Sequence, residues 1–301
     1  FSRNINPQWN FGFDIKKISS NKLVGASSSR ESQLKNTNTD IYIYHRSENS
    51  KYHMMFHAYK MKHEGAESGG ISVAEGATRE DYFLYLDSDV RLRSAFSYDE
   101  RTRWRLYQDY SIKPFLELYN VIERKVTLNR YEDTSPTLVA DGGYYSQLLS
   151  RSDSTENASS MAEWTVEAGL KGRIGSFIFY SANLQQRTLD YSQNHIADRV
   201  EENEVSIGGD IKLQITKSNA LSGKIQLLSS GQYLFHAIYE NNFLKATYSS
   251  TKSRPSYFSE RNFGNHYDWS NRFSDAFSNT IGGSLFYDFG VLRLAPEVQI
   301  S

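Results

Sequence analysis

The feature that most constrains this chain is a period of two in its side chains, sustained over long stretches. Residues 161–173 place Ala162, Trp164, Val166, Ala168 and Leu170 at one parity and Glu163, Thr165, Glu167, Gly169, Lys171 and Arg173 at the other. Residues 204–216 repeat the pattern, with Val205, Ile207, Gly209, Ile211, Leu213 and Ile215 against Glu204, Ser206, Gly208, Asp210, Lys212 and Gln214. In 219–227, Leu221, Gly223, Ile225 and Leu227 oppose Ser222, Lys224 and Gln226. Successive side chains of a strand point to opposite faces, so this alternation specifies strands with one apolar and one wet face.

On that basis the sequence predicts about fourteen strands, near 8–18, 39–47, 51–63, 102–112, 115–129, 160–173, 176–189, 203–216, 219–229, 232–240, 242–250, 265–274, 278–288 and 291–300. Several of these segments run to ten or more residues, against ~5–6 for an ordinary globular strand. A tilted strand crosses a bilayer in about 9–11 residues. Strand length therefore favours a membrane barrel over a soluble sandwich.

The links between strands carry a second signal. They are long at 19–38, 64–101, 130–159 and 190–202, and short at Glu48-Asn49-Ser50, Lys113-Pro114, Ile174-Gly175 and Lys217-Ser218. Outer-membrane barrels have short periplasmic turns and long external loops, and a sandwich has no reason to alternate in this way. Further along, 251–264 is long where a long link is due, whereas Ser230-Gly231 and Phe289-Gly290 are short where long ones are due. The Ser-rich stretches 25–32 and 150–160 read as loop crowns.

Composition agrees. The chain has 21 Tyr, 17 Phe and 4 Trp with only 5 Pro, yet its mean hydropathy is negative. A membrane barrel combines polarity with aromaticity, because half its strand residues face water while aromatic girdles ring both interfaces. The net charge of −1 gives no basic excess for nucleic acid. The absence of cysteine rules out disulfides and thiolate metal sites in this chain. No stretch approaches the ~20 apolar residues of a spanning helix. Phe1-Ser2-Arg3-Asn4 shows neither the charged nor the apolar region of a signal peptide, and Val298–Ser301 lacks a terminal aromatic. The expectation is a single antiparallel transmembrane β-barrel domain over 1–301, incomplete at both ends, with more strands in the full chain.

Particular residues point the same way. The opening Phe1-Ser2-Arg3-Asn4-Ile5-Asn6-Pro7-Gln8-Trp9-Asn10-Phe11-Gly12-Phe13-Asp14 resembles a segment of the putative porin family of Bacteroidota outer membranes. Asp40-Ile41-Tyr42-Ile43-Tyr44, Lys51-Tyr52-His53-Met54-Met55-Phe56 and Gly69-Gly70-Ile71 are similar to the next segments of that family. The resemblance implies an outer-membrane barrel and a fragment of a longer chain. It brings no catalytic residues with it.

Four constellations bear on chemistry. His53 and His57 have a zinc-like spacing for a helix, but on a strand they stand roughly 13 Å apart at ~3.3 Å per residue; with His45 and His63 they read as polar wall residues. Glu64, Glu67, Glu75, Glu80, Asp81, Asp87 and Asp89 match no defined calcium loop and read as a solvated loop. Many Ser and seven His occur without any motif that selects a nucleophile and its base, so neither enzyme activity nor a cofactor is expected. Gly208-Gly209 and Gly282-Gly283 have no phosphate-loop context and read as bends or close approaches.

The remaining candidates are charges at the wet parity: Arg103, Arg105, Asp109, Glu163, Glu167, Lys171, Asp210, Lys212 and Lys224. Such residues can set solute preference in a pore, and they equally keep any wet interior hydrated. The expected function is an outer-membrane, porin-like channel for passive diffusion of small hydrophilic solutes, in contact with outer-membrane lipid and with other outer-membrane proteins as further partners. The alternatives are a plugged barrel serving as a structural or secretion-associated partner, and a secreted β-rich glycan-binding protein.

Overall fold

The computed structural model describes all residues except 23–31, 73–75, 77, 79, 81–89, 142, 289–292, 295 and 301. The long strands are β2 (Trp9–Asn21), β3 (Ser32–Arg46), β4 (Tyr52–Glu67), β5 (Ala95–Lys113), β6 (Leu116–Asp133), β7 (Thr155–Ile174), β8 (Ile178–Gln193) and β9 (Ile196–Gln214). Shorter ones are β1 (Ser2–Asn6), β10 (Ala220–Leu228), β11 (Tyr233–Glu240), β12 (Leu244–Ser253), β15 (Ala276–Leu285) and β18 (Glu297–Ile300). These form one antiparallel, 14-stranded meander in sequence order, with β1 and β18 as its two edges. Outside it lie the helical turn α1 (Tyr257–Glu260) and two small hairpins, β13 (Arg261–Gly264) with β14 (Tyr267–Ser270), and β16 (Tyr287–Asp288) with β17 (Arg293–Leu294).

Register makes the two faces continuous across the sheet. Ile207 lies beside Leu184 on one side and Leu227 on the other. Ile122 and Val166 are neighbours, as are Ile43 and Phe56 and, further on, Phe11 and Ile43. This apolar face has little protein over it: Ile207 is 61% exposed and Val166 51%. From Trp164 to Ile174 the apolar row of β7 covers about 33 Å of strand at ~3.3 Å per residue. At a tilt of about 40° that gives a band about 25 Å tall, the height of an outer-membrane apolar belt. The opposite face is polar and the more enclosed of the two. Asp109, Glu123 and Ser206 are buried there.

The antiparallel order gathers the strand ends Asn21 and Ser32, Glu67 and Ala95, Asp133 and Thr155, Gln193 and Ile196, Leu228 and Tyr233, and Ser253 and Ala276 at one end of the sheet, the end of the long links. The other end carries 7–8, 47–51, 114–115, 175–177, 215–219 and 241–243. At the long-link end, Leu92, Ala95 and Tyr145 form a buried apolar cluster with Tyr131, Leu138 and Leu148 against it.

Three sequence expectations are corrected. The segment 190–202 is not a long loop, because β8 and β9 run through it and only Asn194-His195 turn between them. The outward face turns polar here, with Asp190, Arg199 and Glu201 at the outward parity above the apolar belt, so period two disappears although the strands continue. The segment 265–274 is no strand of the main sheet; β13 and β14 form a separate hairpin, and β15 pairs with β12. The first strand, β1, was missed because it is five residues long and carries little apolar contrast. Of the loop crown expected at 25–32, Ser32 is the first residue of β3, and the rest, with the acidic residues Glu75, Asp81, Asp87 and Asp89, falls outside the described residues.

Candidate pore-lining site

All nine charged candidates share the polar face. On β5, Arg103, Arg105 and Asp109 lie opposite Lys125, Glu123 and Tyr119 of β6. On β7, Glu163, Glu167 and Lys171 lie opposite Lys125, Val121 and Glu117. Asp210 and Lys212 on β9 lie opposite Lys224 and Ser222 on β10.

Five of the nine, Arg103, Arg105, Asp109, Glu163 and Lys171, belong to two adjoining clusters. In the first, the Arg103 guanidinium donates to Glu123 (Nε at 3.0 Å), and Arg105 (3.6 Å) and Lys125 (2.9 Å) pair with the same carboxylate. Lys125 also donates to Glu163 at 2.9 Å, Glu163 meets Arg187 at 3.3 Å, and Arg187 continues to Glu204. In the second, Asp109 accepts from Tyr107 (2.8 Å) and Lys171 (3.1 Å) and meets His53 Nδ1 at 2.8 Å, while Lys171 also reaches Glu117 at 3.5 Å. Together the clusters contain five cations (Arg103, Arg105, Lys125, Lys171, Arg187) and five carboxylates (Asp109, Glu117, Glu123, Glu163, Glu204).

The other four candidates stand apart. Asp210 accepts from Ser181 at 2.5 Å, Lys212 lies 3.8 Å from Glu240, and Lys224 faces Asp210 and His236 in register. Glu167 bridges no cation in either cluster; it accepts from Tyr119 at 2.8 Å and Gln185 at 3.2 Å. The Tyr119 ring reaches it by lying over Gly169, where a Cβ would stand 2.6 Å from the ring. Of the histidines, His53 partners Asp109 and His57 partners Asp40 at 3.1 Å, so the two address different carboxylates.

Sequence reasoning missed Glu123, Lys125 and Arg187, and left Glu204 out of the candidates although it stood at the wet parity; these four hold the first cluster together. In β6 the alternation is blurred, with Val121 on the polar face and Arg124 on the apolar one. Arg124 sits between Trp104 and Trp164, its guanidinium 5.5 Å from the Trp164 ring, so a cation is tolerated on that face among interfacial aromatics. Pairing β6 with the clean alternation of β7 would have supplied the missing parity.

The segment 254–275 completes the site by folding over the polar face. Gln193 of β8 donates to the Arg261 carbonyl at 3.1 Å and accepts from the Phe263 backbone N–H at 3.2 Å. Asn265 fastens the segment to 149–157. Its Oδ1 accepts from the N–H groups of Ser150 (2.8 Å) and Arg151 (2.9 Å), and its Nδ2 donates to Arg151, Ser154 and Thr155. Its own N–H donates to Asn157 at 3.1 Å. Next to it, burial lowers the pKa of His266, with the Asp133 charge opposing, and its Nδ1 is buried without a partner. Burial, then hydrogen bonds to Tyr131 and Asp133, push the Tyr145 hydroxyl far up. Burial and the Glu202 carboxylate do the same for Tyr257. Between this segment and the strands lies a cavity of about 570 Å3, bounded in part by Met161, Leu189, Arg187, Glu204, Tyr257 and Phe258.

A meandering sheet with an apolar belt outside, paired charges inside and long links at one end defines a membrane-spanning β-barrel architecture. Along residues 1–301 the chain matches the family described as "Putative porin", and it belongs to that family. No curated protein matches it in sequence. Its fold is similar to the ferric-catecholate import receptor Fiu from Escherichia coli K12 (TM-score 0.64, 12% identity, 99% of this chain and 55% of that one). A mutant of the ferric enterobactin receptor PfeA from Pseudomonas aeruginosa is also similar (0.64, 7%, 97% and 48%). So is the siderophore receptor PiuA from Acinetobacter baumannii (0.61, 11%, 99% and 54%). The chain thus spans about half the length of these solved structures. Its fold is that of an outer-membrane β-barrel, and its place is the outer membrane.

Proposed function

We propose that the chain is part of a channel through which small hydrophilic solutes cross the outer membrane by passive diffusion. The observation that carries this reading is the continuous polar face, lined by ion pairs from β4 to β9 while the reverse face is apolar. Charges held in mutual pairs keep a wall hydrated without building a strong field of one sign, so a pore they line discriminates weakly between cations and anions. Unpaired strand edges are not tolerated in lipid, so in this proposal the barrel closes through further strands between β1 and β18. Passive passage requires no energy coupling and no chemistry from the wall.

Reconstituting the full-length protein in planar bilayers tests the proposal. The expected result is ohmic conductance with a reversal potential near zero in a salt gradient, any residual preference fading as salt screens the charges beyond ~8 Å. Strong selectivity would refute the charge argument. Zero conductance would refute the channel and favour the plugged structural barrel.

A further inference from the structure

The cavity of about 570 Å3 under residues 253–258 falls within the ~300–1,000 Å3 usual for small-molecule sites. Its floor is unusual for the polar face. Met161, Leu189, Leu228 and Leu234 all take the inward parity there, and the Phe258 ring comes from the folded-over segment. Charges stand around this apolar floor, and each cation among them is already committed. Arg187 is shared by Glu163 and Glu204. Arg254 is taken by Glu202 and Glu260, and Lys252 by Asp275 at 3.3 Å.

Two classes of occupant are excluded by these facts. A charged solute would find no free counter-charge and would have to break an existing pair. A wholly apolar one would strip water from the ion pairs without replacing its hydrogen bonds. What fits is an uncharged molecule with an apolar face and a rim of hydroxyls. The face would lie on Met161, Leu189 and Phe258. The hydroxyls would bond the outward lone pairs of Glu163 and Glu204 and the spare N–H groups of Arg187. A pyranose ring has that form, with C–H groups on one face and hydroxyls around its edge. We infer that this cavity is a binding site for neutral oligosaccharides, lying in the path of diffusion. The inference rests on the channel reading for its place in transport, but not for binding itself.

Calorimetry on the full-length protein in detergent, with maltotriose, cellotriose and xylotriose, tests the site without needing conductance. Binding of at least one of them is expected, with glucuronate and glucosamine much weaker. Met161→Lys, which sets an unpaired charge on the apolar floor, should weaken that binding about tenfold, equivalent to ~1.4 kcal/mol. Ser222→Lys, on the same face but outside the cavity, should leave it unchanged. No heat from any of the three sugars overturns the site, and equal effects of the two variants overturn its location. In planar bilayers the sugar that binds should reduce the ion current saturably. Current without reduction overturns the site's place in the path. Binding without any current leaves the site standing and refutes the channel.

Discussion

Placing arginine on the apolar face should be far more costly than placing it on the polar one. Ile207 lies between Leu184 and Leu227, and the three are exposed by 61%, 57% and 47% on the outward face. Arginine at a mid-membrane, lipid-facing barrel position costs about 2–4 kcal/mol. For Ile207→Arg that amounts to a fall of ~30- to 1,000-fold in the folding equilibrium, at about 1.4 kcal/mol per factor of ten. Gln185 is the control. It sits on the other face, beside Ser206, and already donates to Glu167 at 3.2 Å, so Gln185→Arg places its charge against a waiting carboxylate in water. Its cost should stay below about 1 kcal/mol, the usual range for an exposed pair. Urea titration of the full-length protein folding into lipid vesicles measures both. Equal costs for the two variants would refute the assignment of faces.

The same geometry sets further outcomes. Trypsin added to intact cells should cut at Arg151 or Arg272, in the long-link end of the sheet, and spare Lys51 and Lys217 at the opposite end; the reverse pattern would invert the topology. Glu123→Gln leaves Arg103, Arg105 and Lys125 without their shared carboxylate. It should cost about 1–3 kcal/mol and shift the reversal potential toward anion preference; an unchanged potential would show that these cations do not face the conducting path. The docking of 261–270 should weaken in acid. Burial holds His266 below its ordinary pKa of 6.5, so the undocked state binds the proton first as pH falls through that value. Stability is present above it and is lost below. Hydrogen exchange of this segment at pH about 7.5 and about 5 reads the effect, and His266→Gln should abolish the difference.

How much of this was legible in the sequence depended on whether lipid and water stood on opposite sides of a strand. Within the belt they do, and the alternation of 161–173 and 204–214 placed every named side chain on the face where it is found. Above the belt the outward face is polar as well, so β8 and β9 looked like a loop from 190 onward although their pairing runs on to Gln193 and Ile196. In 261–270 local propensity is that of a strand and the segment is indeed a hairpin. Its exclusion from the main sheet depends on Asn265 and Gln193, whose contacts span about 70 to 115 positions and leave no local trace. The site shows the same division. Parity alone put Glu163, Glu167, Lys171, Asp210 and Lys212 on the polar face of their clean strands. Glu123 and Lys125 were missed because β6 carries Arg124 among tryptophans on its lipid side, a placement only neighbouring strands explain.

The central claim is that one parity of these strands borders water and the other borders lipid. The chain contains no cysteine, so single substitutions along β7 give a background-free readout within it. Each position from 163 to 171 except Gly169, where a Cβ would stand 2.6 Å from the Tyr119 ring, is changed to cysteine in turn in the full-length protein, embedded in membranes, and challenged with a small, membrane-impermeant thiol reagent. Labelling is expected at Glu163, Thr165, Glu167 and Lys171, and protection at Trp164, Val166, Ala168 and Leu170. Labelling without alternation, or at the second set instead of the first, would contradict it.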